Sequence, residues 1–243
     1  APVVMLSHSL ACSLVMWNPQ MDLLESHFRV LRFDTRGHGD SDAPGGNYTL
    51  ALLAEDAVGL LDALDIDRVH FVGLSMGGMI GQGLALDHRN RLKSLALCDT
   101  AAIMPDDVQP IWKQRIEAAR SEGMQGQVDE ILERWFTPKY LKQNPPAVEM
   151  IRQQILATTV AGYTGCSEAI RRLNYLNRLS EIDIPTVIIV GEEDPGTPVA
   201  ASEAMHAQIS GSKLLVLPAC RHLSNIEASG AFNEGLSDFL LKP

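Results

Sequence analysis

Short runs of apolar, often β-branched residues recur along this chain with helical patterns between most of them, and that alternation leaves few folds open. Parallel strands buried on both faces read as continuous apolar runs, and each needs a crossover, usually a helix, to reach the next. The pattern predicts strands at 3–7, 28–33, 68–72, 93–98, 186–190 and 213–217. Between the second and third, Leu50, Leu53, Ala54, Ala57, Leu60, Leu61 and Leu64 recur at helical spacing and form one apolar face. Ile226, Phe232, Leu236, Phe239 and Leu240 mark a last helix that closes on the sheet. The predicted class is α/β, a mostly parallel sheet flanked by helices.

The alternation breaks once. From 104 to 180 no strand is predicted, and helical patterns are punctuated by Pro105, Pro110, Pro138, Pro145 and Pro146. This stretch is either a separate small domain or a helical cap over the C-terminal edge of the strands, where open α/β sheets bind ligands. The cap is expected, which divides the chain into a core of 1–103 and 181–243 and a cap of 104–180.

Composition narrows the function classes. At 243 residues, 46% hydrophobic and 21% charged, the chain can build a core and falls outside the disordered compositions. Its 20 basic against 30 acidic residues give a formal net charge of −10, with no basic run longer than Arg171-Arg172. Nucleic-acid binding needs clustered Lys and Arg against phosphates, so no such partner is expected. No apolar stretch approaches the roughly 18–20 residues that cross a bilayer, so no membrane partner is expected either. Cys12, Cys98, Cys166 and Cys220 are far apart, with no CxxC and no Cys/His pair at metal-ligand spacing. They read as reduced, mostly buried thiols in a protein of ordinary cytoplasmic type that uses no metal and no cofactor. Because a buried strand already begins at residue 3, N-terminal sequence is expected to be missing, and a cleaved signal peptide stays open.

Gly73-Leu74-Ser75-Met76-Gly77 follows the third predicted strand and precedes a helix of small residues. This is G-x-S-x-G in strand–turn–helix context, where a sharp turn lifts a serine hydroxyl above the sheet and crowds the positions two before and two after it. The pentapeptide alone also fits a glycine-rich turn that lets strand and helix pack closely. A phosphate loop would need a following Gly-Lys-Ser/Thr, and a dinucleotide fingerprint a different order of glycines. A serine nucleophile needs a general base, and the base an orienting acid. His222 follows the strand at 213–217 and Asp194 the strand at 186–190, which puts both at the sheet edge that carries Ser75. His27, His70, His88 and His206 read as structural or surface residues. Asp99 also ends a strand and is the alternative acid, although its expected role is to brace the cap junction. For the oxyanion, the amide of Met76 at a helix start and that of Leu10 in the loop Ser7-His8-Ser9-Leu10 are the candidates. His8 is expected to brace that loop.

The elbow, the order Ser75, Asp194, His222 and the segment Asp34-Thr35-Arg36-Gly37-His38-Gly39-Asp40-Ser41 together resemble the α/β-hydrolase superfamily over essentially the whole chain. The resemblance implies the α/β-hydrolase fold with its helical cap. It makes the Asp34 motif structural, with His38 as a further catalytic candidate. Serine at 75 departs from the dehalogenase and epoxide-hydrolase branches, which use an aspartate there. One departure from the family is His8-Ser9 in place of His-Gly, which puts the shape of the oxyanion loop in question. Against such enzymes the chain is also expected to lack the N-terminal hairpin before Val3. Within the superfamily, His8-Ser9-Leu10 with Met16-Trp17, 28–32 running into Asp34, 73–79, Arg134-Trp135-Phe136-Thr137 and 222–227 resemble the 3-oxoadipate enol-lactonases. That implies a cofactor-independent serine hydrolase of aromatic-compound catabolism, which opens a small lactone or cleaves a small ester through an acyl-enzyme. Arg134 beside Trp135 is then the candidate for holding a carboxylated substrate. A general short-chain esterase, an acyltransferase and a low-turnover ligand receptor share the framework, and the sequence leaves oligomeric state open.

Overall fold

The apolar runs pair as one sheet. A computed structural model describes residues 1–241, so Lys242 and Pro243 of the expected 181–243 segment lie outside the described residues. The strands are β1 (Val3–Ser7), β2 (Arg29–Arg32), β3 (Val69–Leu74), β4 (Leu92–Cys98), β5 (Thr186–Gly191) and β6 (Lys213–Leu217). They lie in the order β2-β1-β3-β4-β5-β6, and every pairing is parallel. β5 is buried throughout and β3 and β4 nearly so, as their continuous Val, Ile and Leu runs require, while β2 and β6 at the two edges are half-exposed. β3 runs two residues past its predicted end, because Gly73 and Leu74 still pair with Leu97 and Cys98.

The chain leaves β1 for one side of the sheet and returns to β3 on the other. The order therefore reverses between β1 and β3, and the crevice beyond their C-terminal ends is where such sheets take ligands. Helices α1 (Met21–Glu25), α2 (Leu50–Ala63) and α3 (Met76–Asp87) belong to this first half. In α2, Leu50, Leu53, Ala54, Ala57 and Leu61 are buried, and Thr49 caps the helix by accepting from the Leu52 amide. Leu64, predicted on that face, is 39% exposed because the helix ends at Ala63.

Between β4 and β5 come α4 (Gln109–Glu122), α5 (Val128–Trp135), α6 (Pro138–Gln143), α7 (Pro146–Ala157) and α8 (Val160–Ile170), and among the described residues no strand intervenes. Pro110, Pro138 and Pro146 occupy first helical turns, where a missing N–H costs nothing. α8 docks where two glycine backbones touch, since a Cβ on Gly162 would lie 2.1 Å from the Gly37 carbonyl oxygen. Thr159 donates to that same carbonyl and the Tyr48 amide to Gly165, fixing the helical segment to the loop after β2. The chain closes with α9 (Val199–Gln208), α10 (Ser224–Glu227) and α11 (Ser229–Leu241), so the predicted last helix is two, with Phe232 and Leu236 buried. All four cysteines are free and buried. Among the described residues no helix is long and apolar enough to cross a membrane.

Candidate active site

Ser75 links β3 to α3 with φ 56° and ψ −114°, left-handed backbone that a residue with a Cβ adopts at a cost of order 1–3 kcal/mol. The surroundings hold it there. Its amide donates to the Cys98 carbonyl at 2.8 Å, and its carbonyl accepts from Thr100 Oγ1 at 2.7 Å and from the Met79 amide at 3.1 Å. The flanking glycines have steric reasons, as a Cβ on Gly73 would sit 2.2 Å from the Gly77 oxygen and one on Gly77 2.1 Å from the Ser7 oxygen. Helix, strand and turn thus meet backbone to backbone under the serine.

His222 and Asp194, whose loops follow β6 and β5, meet through Nδ1 and Oδ2 at 2.7 Å. Asp194 Oδ1 accepts from the amides of Gly196 and Thr197, and the Thr197 hydroxyl donates to Oδ2 at 2.6 Å. Burial works to raise the Asp194 carboxyl, but the His222 charge and hydrogen bond, with the bonds from Thr197, hold it below its ordinary 3.8. For His222 burial works downward, and the charge and hydrogen bond of Asp194, with the charge of Asp99, lift it above 6.5. With Nδ1 occupied, Nε2 is the nitrogen left for proton transfer.

Asp99 makes no contact of that kind. It is fully buried at the end of β4, where Oδ1 accepts from the Gly191 amide at 2.8 Å and Oδ2 from the Ser224 hydroxyl. Burial first, then the charge of Asp194, raise its carboxyl to about 8. The brace expected at the cap junction runs instead to the end of β5 and the start of α10, from a residue whose own backbone is left-handed, φ 42°.

In the loop after β1, Ser9 takes no left-handed angle; the positive φ falls at Ala11, 59°, so serine replaces glycine at position 9 without strain. His8 Nε2 accepts the Thr35 amide at 2.9 Å and His38 Nε2 the Ala11 amide at 3.0 Å. Their Nδ1 atoms face the carbonyls of Ser9 and Arg36, which makes both rings neutral Nδ1–H tautomers. Burial lowers them to about 4 and about 3, with His8 also repelling charge on His38. His38, a catalytic candidate by resemblance, is thus a brace for the loop and does not line the cavity. The Asp34 carboxylate ties the same region by accepting from the Leu14 and Asp40 amides. The amides of Ser9, Ala11 and Cys12 are engaged, and Leu10 lines the cavity. Met76 is buried and its side chain does not line the cavity; what it offers is an N–H in the first turn of α3, where helical donors lack partners.

A cavity of about 180 Å³ brings Ser75, His222, Leu10, Trp135 and Arg134 to one surface. Trp135 stacks on the His222 ring, with centroids 6.1 Å apart, and its carbonyl accepts the Leu223 amide, so α5 is keyed to the histidine loop. Arg134 pairs with Glu130 one turn earlier. Burial and then the nearby Arg115 cation lower its guanidinium. The sequence reading missed Arg115, Trp112 and Thr197, which also line the cavity; Thr197, three residues after Asp194 and ahead of a helix, carried the only local signal. Among the described residues no group of three His, Cys, Asp or Glu side chains is placed to hold a metal ion.

The family described as the alpha/beta hydrolase fold matches residues 2–229. The chain belongs to that family. Among the relatives of this α/β hydrolase, 3-oxoadipate enol-lactonase 1 of Acinetobacter baylyi is 36% identical, covering 99% of this chain and 89% of that protein. 3-Oxoadipate enol-lactonase 2 of the same organism is 34% identical, over 97% of this chain and 87% of that protein. The crystal structure of the enol-lactonase from Burkholderia xenovorans LB400 is 41% identical, with a TM-score of 0.96, covering 100% of this hydrolase and 92% of that chain.

Proposed function

We propose that this hydrolase opens a small enol-lactone of the 3-oxoadipate type through an acyl-enzyme on Ser75. The observation that carries the reading is the His222–Asp194 contact of 2.7 Å at the wall of the cavity that Ser75 also lines. Ser75 attacks the lactone carbonyl, and His222 Nε2 takes the hydroxyl proton as Asp194 holds Nδ1–H in place. The amides of Leu10 and Met76 receive the charge that forms on the carbonyl oxygen. His222 then returns the proton to the ring oxygen as the C–O bond breaks. The enol so released stays attached to the acyl group, so no second product leaves before water attacks the acyl-enzyme. A second proton transfer through His222 frees the ring-opened acid and restores Ser75.

The helices of 104–180 serve as a cap over this site, with Trp135 and Arg134 as substrate contacts. The 34–41% identity to enol-lactonases supports the lactone class, as does the small volume of the cavity. A cytoplasmic place in the breakdown of aromatic compounds follows from the same reading. The purified protein, assayed on lactones, short-chain esters and added thiol or alcohol acceptors, is expected to favour the carboxylated enol-lactone. Preference for neutral esters would make it a general esterase, and acyl transfer outrunning hydrolysis would make it an acyltransferase.

A further inference from the structure

Two guanidinium groups face the cavity, on α4 and α5, yet they are not equivalent. Arg134 is engaged by Glu130, and the other arginines singled out in the helical segment are engaged as well, Arg152 by Asp129 and Arg171 and Arg172 by Glu168. Arg115 has no carboxylate partner among the described residues, and its Nε is buried without a hydrogen bond. What lies against it is Trp112, whose ring centre is 5.2 Å from the guanidinium carbon. A half-buried cation beside a second cation, in a chain of net charge −10 with carboxylates to spare, is costly to leave unpaired. An anion entering the cavity removes that cost; with Nε buried, the end of the guanidinium fork, its two Nη nitrogens, is what offers a carboxylate two donors.

We infer that Arg115 receives the free carboxylate of the substrate and sets the preference for lactones and esters that carry one, while Arg134, paired with Glu130, contacts the substrate without taking that carboxylate. The inference rests on the lactonase reading for the identity of the reacting group, and on the cavity alone for the anion.

The test compares wild type, Arg115→Gln, Arg115→Lys and Arg134→Gln on an unsaturated γ-lactone bearing a carboxymethyl group and on the same ring bearing methyl. Glutarate, which cannot react, is titrated calorimetrically into each protein. Arg115→Gln is expected to lower the ratio of kcat/KM for carboxymethyl over methyl lactone by about 10- to 100-fold, mainly through KM, and to abolish glutarate binding. Arg115→Lys keeps the charge without the fork and should fall between. Arg134→Gln should change the ratio less. The assignment is overturned if wild type does not bind glutarate, if Arg115→Gln and Arg115→Lys leave the ratio intact, or if Arg134→Gln abolishes the preference and Arg115→Gln does not. Lactone opening without dependence on Arg115 would overturn this assignment and leave the lactonase reading standing. Arg115-dependent glutarate binding with no lactone opening would do the reverse.

Discussion

Replacing Gly77 by alanine probes the contact on which the serine turn is built. The added Cβ would lie 2.1 Å from the Ser7 carbonyl oxygen and 2.6 Å from its carbon. Both are backbone atoms and cannot swing aside. An ordinary contact begins near 3.4 Å, so α3 and the end of β1 must part by about 1.3 Å. Ser7 leads into the loop that carries Leu10, and Gly77 lies two residues after Ser75, so the strain separates the proposed nucleophile from one proposed oxyanion donor. A misplacement of about 1 Å costs on the order of 10²-fold in rate. Overpacking of this kind costs about 1–3 kcal/mol, which in a chain of this size lowers Tm by roughly 2–12 °C. Gly59→Ala in α2 is the control, since nothing lies within 4 Å of its Cβ and alanine favours the helix by about 0.5–1 kcal/mol. Steady-state hydrolysis of a chromogenic ester and calorimetric unfolding read both variants. Wild-type kcat/KM and Tm in Gly77→Ala would refute the backbone contact and the role given to it.

Asp194→Asn should lower kcat on the order of 10⁴-fold, the loss known for a serine-protease triad. His222 must be neutral to accept a proton, so raising its pKa moves the loss of activity upward in pH. The acid limb of wild-type kcat/KM should therefore lie above 6.5 and move down in any residual activity of Asp194→Asn. A limb that stays put would exclude this carboxylate as its cause. Asp99→Asn should cost far less activity and change stability instead. A carboxyl raised from 3.8 to about 8 contributes stability that is full below 3.8 and lost as pH rises through about 8. Relative to wild type, the variant's Tm should therefore lose less over that window in calorimetric scans, and parallel curves would contradict the buried, proton-binding role.

The proposed triad was legible because each member follows the C-terminal end of a strand, and parallel strands bring those ends to one edge. Ser75, Asp194 and His222 needed only strand positions and chain order. The helical insertion was legible from the failure of alternation between Cys98 and Thr186, with prolines marking helix starts. Arg115 was not, because which face of α4 meets the cavity depends on how α4 packs on α8, and no local period encodes that docking. The bracing by His8 and His38 was half legible. Sequence suggested a loop brace at His8, but that each ring accepts an amide from the other's loop depends on β1 and β2 being neighbours. Asp99 shows a further limit, since its strand-end position kept it open as the alternative acid, and the direction of its side chain, toward Gly191 and Ser224, is what separates it from Asp194.

Ser75 as nucleophile is the claim on which the rest depends. Intact-mass and peptide mass spectrometry after treatment with a serine-directed phosphonate tests it most directly. One equivalent should attach to the peptide carrying Ser75, with activity lost in proportion, and Ser75→Ala should neither label nor turn over while unfolding at close to the wild-type Tm. Stoichiometric labelling at another residue, or turnover by Ser75→Ala, would contradict the account.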